Sequence, residues 1–175
     1  MKREIIIYCF LILMAVIGCK IDTSSKPIML KIDLKPSSAS KVTGTAVFTE
    51  RNDIVSLVVT MKNLKPGVHA IHIHEKADCS AVDASSAGGH WNPTFKPHGK
   101  WDSPSCHKGD IGNFTADENG NARLSMSTSE WCIGCDEPTK DILEKSLVVH
   151  QDADDYVSQP SGNAGARIAC LGIIR

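Results

Sequence analysis

Apolar and polar residues alternate along eight short segments of the chain, and turn residues such as Asn52-Asp53 and Asn119-Gly120 separate them. A period of two residues is typical of β-strands, and an Asn-Gly pair marks a tight hairpin turn. The segments are IMLKIDL (28–34), KVTGTAVFTE (41–50), DIVSLVVTMKNL (53–64), GVHAIHIHE (67–75), DIGNFTAD (110–117), NARLSMSTS (121–129), KSLVVH (145–150) and ARIACLGII (166–174). Eight such strands predict an all-β domain, an antiparallel sandwich or barrel.

One stretch of the chain, from Lys76 to Lys108, lacks the strand pattern and is rich in Gly, Ser, Pro and His. A connection of about 30 residues inside a compact domain is uncommon unless it is functional or disordered. The low hydrophobicity alone permits disorder, but the many potential metal ligands argue against it. We therefore predict an ordered loop with a binding role.

The N-terminus has a charged start and a short apolar run, which is the layout of a secretory signal peptide. The run is too short for a membrane span, which needs about 20 apolar residues. Val16-Ile17-Gly18-Cys19 is similar to a bacterial lipobox, in which cleavage precedes a lipidated cysteine; an ordinary signal peptide with an incidental cysteine is the alternative. We predict a cleaved peptide over residues 1–18, a lipid-anchored polar tether over 19–27, and export to a bacterial membrane, in the periplasm or at the cell surface.

The remaining residues, 28–175, have a usual length for one domain and suffice for a core. Removing residues 1–18 leaves a net charge of −2, which offers no basic surface for nucleic acid. No second apolar segment is long enough to span a bilayer. Because an exported chain can keep disulfides, its cysteines are first of all candidates for bridges.

Three of the seven histidines lie in GVHAIHIH, on a predicted strand. Side chains two positions apart on a strand share a face, so His72 and His74 project together while Ile71 and Ile73 face the core. Two imidazoles on one rigid face are suited to hold one metal ion. The alternative for this fragment alone is a pair of histidines on a solvated strand face.

More potential ligands lie on or beside the long loop. His90, His98, His107 and Asp110 fall within 21 positions, and His150 ends the strand KSLVVH. Three nitrogens and one carboxylate oxygen suit tetrahedral zinc, whereas a site made only of imidazoles suits copper. So many ligand residues in one nearly neutral chain predict a metal-binding protein.

Six strings in this sequence resemble the copper,zinc superoxide dismutase family, in that family's order and across nearly the whole chain from about Ile28 onward. They are GVHAIHIHE, AGGHWNP, HG, HKGDIGN, LVVHQDADD and GNAGARIAC. Any one string is modest evidence, but the six together carry every ligand position. The resemblance implies an eight-stranded antiparallel Greek-key β-barrel in which two long loops cover a metal site.

The resemblance also implies one copper ion and one zinc ion per chain. The copper ligands would be four histidines: His72, His74, His90 and His150. The zinc ligands would be three histidines and a carboxylate: His90, His98, His107 and Asp110. The deprotonated ring of His90 would bridge the two metals.

Three further residues match positions around the metals in that family. His69 would brace the backbone behind the copper site without binding metal. Asp154 would hydrogen-bond a copper ligand and a zinc ligand, here His72 and His98, and so fix the direction of both rings. Arg167 would lie beside the open copper position and attract a small anion, largely alone, because the stretch QDADDYVSQPSGNAGA before it holds no lysine.

The implied reaction is the dismutation of superoxide to oxygen and hydrogen peroxide, with Arg167 and His90 as catalytic residues and zinc as a structural metal. The alternative is a non-enzymatic lipoprotein on the same fold that binds or delivers copper. The complete ligand set favours the enzyme. Besides superoxide, the expected partner is the membrane, through the N-terminal lipid, and a homodimer is one arrangement open to this fold.

The resemblance pairs Cys79 with Cys170 in a disulfide that ties the long loop to the last strand. Cys106, Cys132 and Cys135 have no counterpart in the family's general pattern. The CxxC pair of WCIGC is open to three interpretations: a local disulfide, a third metal site joined by Cys106, or free thiols.

Overall fold

Eight β-strands make up the fold, which a computed structural model describes for residues 26–175. Their bounds are β1 (Ile28–Pro36), β2 (Thr43–Arg51), β3 (Ile54–Lys62), β4 (Gly67–His74), β5 (Gly112–Ala116), β6 (Ala122–Thr128), β7 (Lys145–His150) and β8 (Arg167–Ile173). The predicted signal peptide, the predicted lipidation at Cys19 and most of the tether lie outside the described residues. Within residues 26–175, no helix is long and apolar enough to cross a membrane.

The strands form two antiparallel four-stranded sheets, β1-β2-β3-β6 and β5-β4-β7-β8, which are joined where the end of β1 pairs with β8. Strands β5 and β6 come into contact at the remaining edge, so the barrel is nearly closed. Neighbours such as β3 and β6, or β4 and β7, are distant in sequence, which is typical of Greek-key connections. The predicted eight-stranded antiparallel barrel is confirmed.

The core lies between the two sheets and follows the period of two. On β3 the buried residues alternate with more exposed ones: Val55, Leu57, Val59 and Met61 are buried. Strand β4 departs from this pattern, because every residue from His69 to His74 is buried. Its second face, which carries His72 and His74, is covered by loops, so the interpretation of these histidines as a solvated pair is wrong.

Three long connections leave the barrel. The first loop (residues 75–111) and the second loop (residues 151–166) contribute residues to the histidine-rich site, and the cysteine loop (residues 129–144) follows β6. The first loop contains a single short 3₁₀ helix, Ser85–Ala87. Strand β5 begins at Gly112, two residues later than predicted, because Asp110 is buried in a turn where its carboxylate accepts the backbone N–H groups of Gly99 and His107.

Two disulfides close these loops. Cys79–Cys170 joins the first loop to β8, and Cys132–Cys135 lies within the cysteine loop. Cys106 is a free, half-buried thiol. Of the three interpretations of the CxxC pair, the local disulfide is therefore the one that the structure contains.

Candidate metal centre

Strand pairing sets the positions of three histidines. His72 and His74 lie on β4, and His150 ends β7, the antiparallel neighbour of β4. The register between β7 and β8 shifts between Val149 and His150. An irregularity of this kind bends the strand and re-aims a side chain, which is common beside functional sites.

The first loop takes the place of β5 along the last residues of β4. The N–H of Ile73 donates to the carbonyl of Gly109 at 2.9 Å, and the N–H of Trp91 donates to the carbonyl of Ile73 at 2.8 Å. His90 forms an isolated bridge with His74. Backbone hydrogen bonds to a strand therefore hold the loop against the site.

The first cluster consists of imidazoles only: His72, His74, His90 and His150, with one ring nitrogen of each within 4.8 Å of the others. All four side chains are buried. The ring centroids of His72 and His90 lie 4.0 Å apart, and the Nε2 atoms of His74 and His150 lie 3.2 Å apart. Four converging imidazoles are a donor set that suits copper.

The second cluster consists of three imidazoles and a carboxylate, within the same limit: His90, His98, His107 and Asp110. Asp110 Oδ1 lies 2.9 Å from His90 Nδ1 and 3.2 Å from His107 Nδ1, and its Oδ2 lies 3.0 Å from His98 Nδ1. This donor set suits tetrahedral zinc. His90 belongs to both clusters, with Nδ1 facing Asp110.

Several buried ring nitrogens of the two clusters have no hydrogen-bond partner among residues 26–175: His72 Nδ1, His90 Nε2, His98 Nδ1, His107 Nδ1 and His150 Nδ1. His98 and His107 lie close to Asp110 without the orientation of a hydrogen bond. An unsatisfied buried polar atom costs about 1–3 kcal/mol and is rare in native proteins. Since these atoms converge in two groups, the residues present fit a copper ion and a zinc ion.

Asp154 connects the two clusters from the second loop. Its Oδ2 accepts a hydrogen bond from His72 Nε2 and its Oδ1 accepts one from His98 Nε2, both at 2.9 Å. These bonds leave Nδ1 of each ring free to face its cluster. The side chain of Asn113 holds Asp154 in turn, accepting its backbone N–H at 2.8 Å and donating to its carbonyl at 2.9 Å.

His69 lies outside both clusters, and its two ring nitrogens hydrogen-bond backbone carbonyls. Its Nδ1 is 3.1 Å from the carbonyl oxygen of His150, and its Nε2 is 2.8 Å from that of Lys65. The buried ring therefore links the end of β7 to the turn before β4.

A cavity of about 400 Å³ opens over the first cluster and reaches His74, His90 and His150. Arg167 lies on its wall and is half-buried. The Arg167 guanidinium donates from Nη1 to the carbonyl of Ala84 at 2.7 Å and from Nη2 to the carbonyl of Gly88 at 2.8 Å. An anion that enters this cavity meets a cation held in a fixed orientation.

The carbonyl oxygen of Gly88 accepts a second hydrogen bond, from His74 Nδ1 at 3.0 Å. The carboxylate of Glu75 holds this segment by accepting the N–H of Gly89 at 3.1 Å. Gly88 has φ of 78°, and a Cβ there would lie 2.6 Å from the Glu75 carboxylate. Both constraints require glycine at this position.

Burial and charge separate the ionisation of the two clusters. Burial, followed by repulsion from neighbouring histidines, holds the pKa of His74 and His150 well below 6.5. Burial also lowers the pKa of His90 to about 4, against the hydrogen bond to Asp110. For His98 burial lowers the pKa, but the nearby carboxylate of Asp110 and the hydrogen bond to Asp154 outweigh it and raise the pKa to about 9. The first cluster thus holds neutral imidazoles at pH 7, the form that binds metal.

One residue that sequence reasoning missed joins the two loops. Gln159 of the second loop accepts the backbone N–H of His98 at 2.8 Å and donates to the carbonyl of His98 at 3.0 Å. The amide group of Gln159 thus bonds both the N–H and the carbonyl of His98, as the backbone of a neighbouring strand would. No spacing rule marks Gln159 or Asn113, because their contacts depend on the path of the loops.

Comparison with known proteins places the chain in a family. The family described as copper/zinc superoxide dismutase (SODC) matches residues 42–174. Cu-Zn superoxide dismutase 2 of Aquifex aeolicus is 37% identical over 142 residues, which are 79% of this chain and 82% of that protein.

Two solved structures share the fold. A double mutant of a SOD-like protein from Bacillus subtilis has a TM-score of 0.74 and 32% identity, covering 83% of this chain and 97% of that one. The clock protein EA4 has a TM-score of 0.72 and 31% identity, covering 86% and 97%. With the family match over most of its length, the chain belongs to the copper/zinc superoxide dismutase family.

Proposed function

We propose that the protein dismutates superoxide to oxygen and hydrogen peroxide. The observation that carries this proposal is a pair of buried donor clusters that share His90 and open onto a cavity with Arg167 on its wall. Copper would be held by His72, His74, His90 and His150. Zinc would be held by His90, His98, His107 and Asp110.

Bound copper would supply the redox chemistry, taking an electron from one superoxide ion and giving it to a second. The chain's own residues prepare the site for this. Burial keeps the imidazoles of the first cluster neutral, so their nitrogens are available as ligands without loss of a proton. Asp154 and the Gly88 carbonyl each fix one ring by holding its other nitrogen.

In this proposal His90 would link the two metals and handle a proton. Its Nδ1 faces Asp110 in the second cluster, while its Nε2 lies buried in the first cluster without a hydrogen-bond partner among the described residues. Peroxide formation consumes protons. A ring whose Nε2 can hold a proton and then return it would supply one at the first cluster, on the side that the cavity reaches.

Arg167 would attract and orient the anion. Two of its N–H groups are held by backbone carbonyls, so the guanidinium has little freedom to turn away. Glu75 lines the same cavity and partly offsets this positive charge. Arg167 would therefore serve mainly to orient superoxide in the cavity, with modest long-range attraction.

The second candidate is a protein that binds or delivers copper without turnover. This second candidate is supported by the names of the two solved structures, which describe a SOD-like protein and a clock protein rather than an enzyme. We further propose export and attachment to a bacterial membrane through a lipid on Cys19. The Cys79–Cys170 disulfide is compatible with an exported protein.

The deciding experiment measures metal content and superoxide dismutation together, on protein lacking residues 1–19 and reconstituted with copper and zinc. His150→Ala serves as the matched variant. One copper and one zinc per chain, with activity that His150→Ala abolishes, would establish the enzyme. Zinc uptake with stable folding but no copper-dependent turnover would remove the enzyme proposal and favour the copper-binding protein.

A further inference from the structure

The cysteine loop contacts the turn that carries part of the second cluster. Trp131, which directly precedes the CxxC pair, is 1% exposed, and its indole Nε1–H donates to the carbonyl of Lys108 at 2.9 Å. The adjacent Glu130 forms an ion pair with the ammonium group of the same lysine. Backbone and side chain of Lys108 are thus both held by neighbouring residues of the cysteine loop.

Lys108 belongs to the turn that carries two residues of the second cluster, His107 and Asp110. The turn is tight, because the Asp110 carboxylate accepts the N–H of His107 at 2.8 Å. The N–H of Gly109 donates to the carbonyl of Trp91 at 3.0 Å. At Lys108 the same turn is bound to the cysteine loop, so hydrogen bonds to Trp91 and to Trp131 hold it at two points.

The cysteine loop is itself anchored to distant parts of the barrel. The N–H of Ile133 donates to the carboxylate of Glu50 on β2 at 2.9 Å, and the guanidinium of Arg175 donates to the carbonyl of Ile133 at 3.0 Å. The N–H of Cys132 donates to the carbonyl of Lys140 at 2.9 Å, and the Cys132–Cys135 disulfide closes the loop. The segment next to Trp131 is therefore fixed by contacts with β2, with Arg175 and within the cysteine loop, and these contacts do not involve the first loop.

We propose that Trp131 is a positioning residue for the zinc-binding turn, and that the Cys132–Cys135 loop is the frame that holds it. The inference rests on the proposed function in taking the second cluster as the zinc site. Without the indole N–H, the Lys108 carbonyl loses its partner and the turn loses its hydrogen bond to Trp131. Loss of a group that hydrogen-bonds a metal ligand directly costs about 10–100-fold in metal affinity, and Trp131 acts one residue away, on Lys108.

The test measures zinc release from the full chain loaded with zinc alone, using a colorimetric chelator. Trp131→Phe keeps an aromatic ring in the buried position and removes the donor. We expect release to be about tenfold faster, at the lower end of the range for such partners. Trp101→Phe is the control, because Trp101 packs edge-on against Trp131 at 5.5 Å and leaves the Trp131 hydrogen bond in place.

A second measurement separates positioning from packing. Cobalt(II) bound in place of zinc absorbs visible light with bands that depend on ligand geometry. Trp131→Phe is expected to shift these bands, whereas a loss of packing alone would lower the melting temperature and leave them unchanged. Should Trp131→Phe not fold, the variant with Cys132→Ser and Cys135→Ser decides instead, and it must also release zinc faster than the unchanged chain.

The outcomes distinguish this inference from the proposed function. Equal release rates and unshifted bands in a zinc-binding chain would overturn the role of Trp131 alone. Faster release in a chain that shows no superoxide turnover would support Trp131 and remove only the enzyme. An unchanged chain that takes up no zinc would overturn both.

Discussion

The two halves of the metal centre are built differently. Three histidines of the all-imidazole cluster, His72, His74 and His150, lie on paired strands of the barrel. In the mixed cluster, every residue belongs to the first loop: His90, His98, His107 and Asp110. Backbone pairing between β4 and β7 sets the positions of the strand histidines. The residues of the mixed cluster depend in addition on side chains of the other two loops.

Those outside contacts come from two other loops. Asp154 and Gln159 of the second loop hold His98, and Trp131 of the cysteine loop holds the turn at Lys108. Each of these contacts can be removed by substituting one side chain, without changing a β-strand. We therefore expect the mixed cluster to lose its geometry in separable steps, and the three strand histidines of the all-imidazole cluster to keep theirs until the barrel unfolds.

The largest expected effect comes from the disulfide that ties the first loop to β8. Replacing Cys79 and Cys170 by Ser should lower the free energy of unfolding by about 4.6 kcal/mol, since the bond spans 91 positions. Replacing Cys132 and Cys135 by Ser is the control, with about 1.6 kcal/mol for a separation of 3. Urea unfolding of the metal-free proteins measures both losses of stability. Equal losses would contradict the larger contribution expected of the Cys79–Cys170 disulfide.

The next effect concerns Asp154, whose carboxylate contacts His72 of the all-imidazole cluster and His98 of the mixed cluster. Asp154→Asn keeps one acceptor oxygen and puts an NH2 donor in place of the other, so one of the two rings loses its acceptor. Zinc affinity should fall about 10–100-fold by competition with a chelator. Asp152→Asn, on the exposed part of the same loop, is the control. Unchanged affinity for zinc and copper in Asp154→Asn would show that metal binding does not need the contacts of Asp154 with His72 and His98.

A pH series of the metal-free protein should separate the halves electrostatically. Histidine in the unfolded chain titrates near pH 6.5, about the same for all sites. His90 has its folded pKa near 4, so the unfolded state binds more protons between pH 6.5 and 4 and stability falls as pH falls. His98 has its folded pKa near 9, so the folded state binds more protons between pH 6.5 and 9 and stability falls as pH rises.

Stability from urea unfolding should therefore peak near pH 6.5 and decrease on both sides. His98→Gln should flatten the alkaline side and leave the acid side in place. A profile that rises steadily across this range would contradict the opposite ionisation of the two clusters.

The smallest effect concerns Gln159. Gln159→Ala removes two hydrogen bonds to the His98 backbone from an exposed side chain, worth about 1 kcal/mol together. Zinc release should become roughly fivefold faster, while copper affinity stays unchanged. Gln151→Ala on the same loop is the control. A matching loss of copper would mean that the loop and strand halves are not independent.

The barrel could be predicted from the sequence because strand patterning is local. Alternation and turn residues predict eight strands, and the structure contains eight among residues 26–175. The predicted start of β5 at Asp110 is wrong, because the Asp110 carboxylate is buried and accepts two backbone N–H groups of the first loop. The clusters contain the residues that the family resemblance named, since those residues occur in fixed strings. Trp131 and Gln159 could not be found, because their roles arise from how separate loops pack.

The carbonyl of Gly88 has a consequence for any attempt to redesign this site. One oxygen accepts from His74 Nδ1 and from Arg167 Nη2, so the direction of a ring in the first cluster and the direction of the cation in the cavity share one anchor. Moving that peptide group to widen the entrance would also turn the ring. The width of the cavity entrance and the direction of the His74 ring therefore cannot be changed separately at this position, and changes to the entrance are better made at Glu75 or on the second loop.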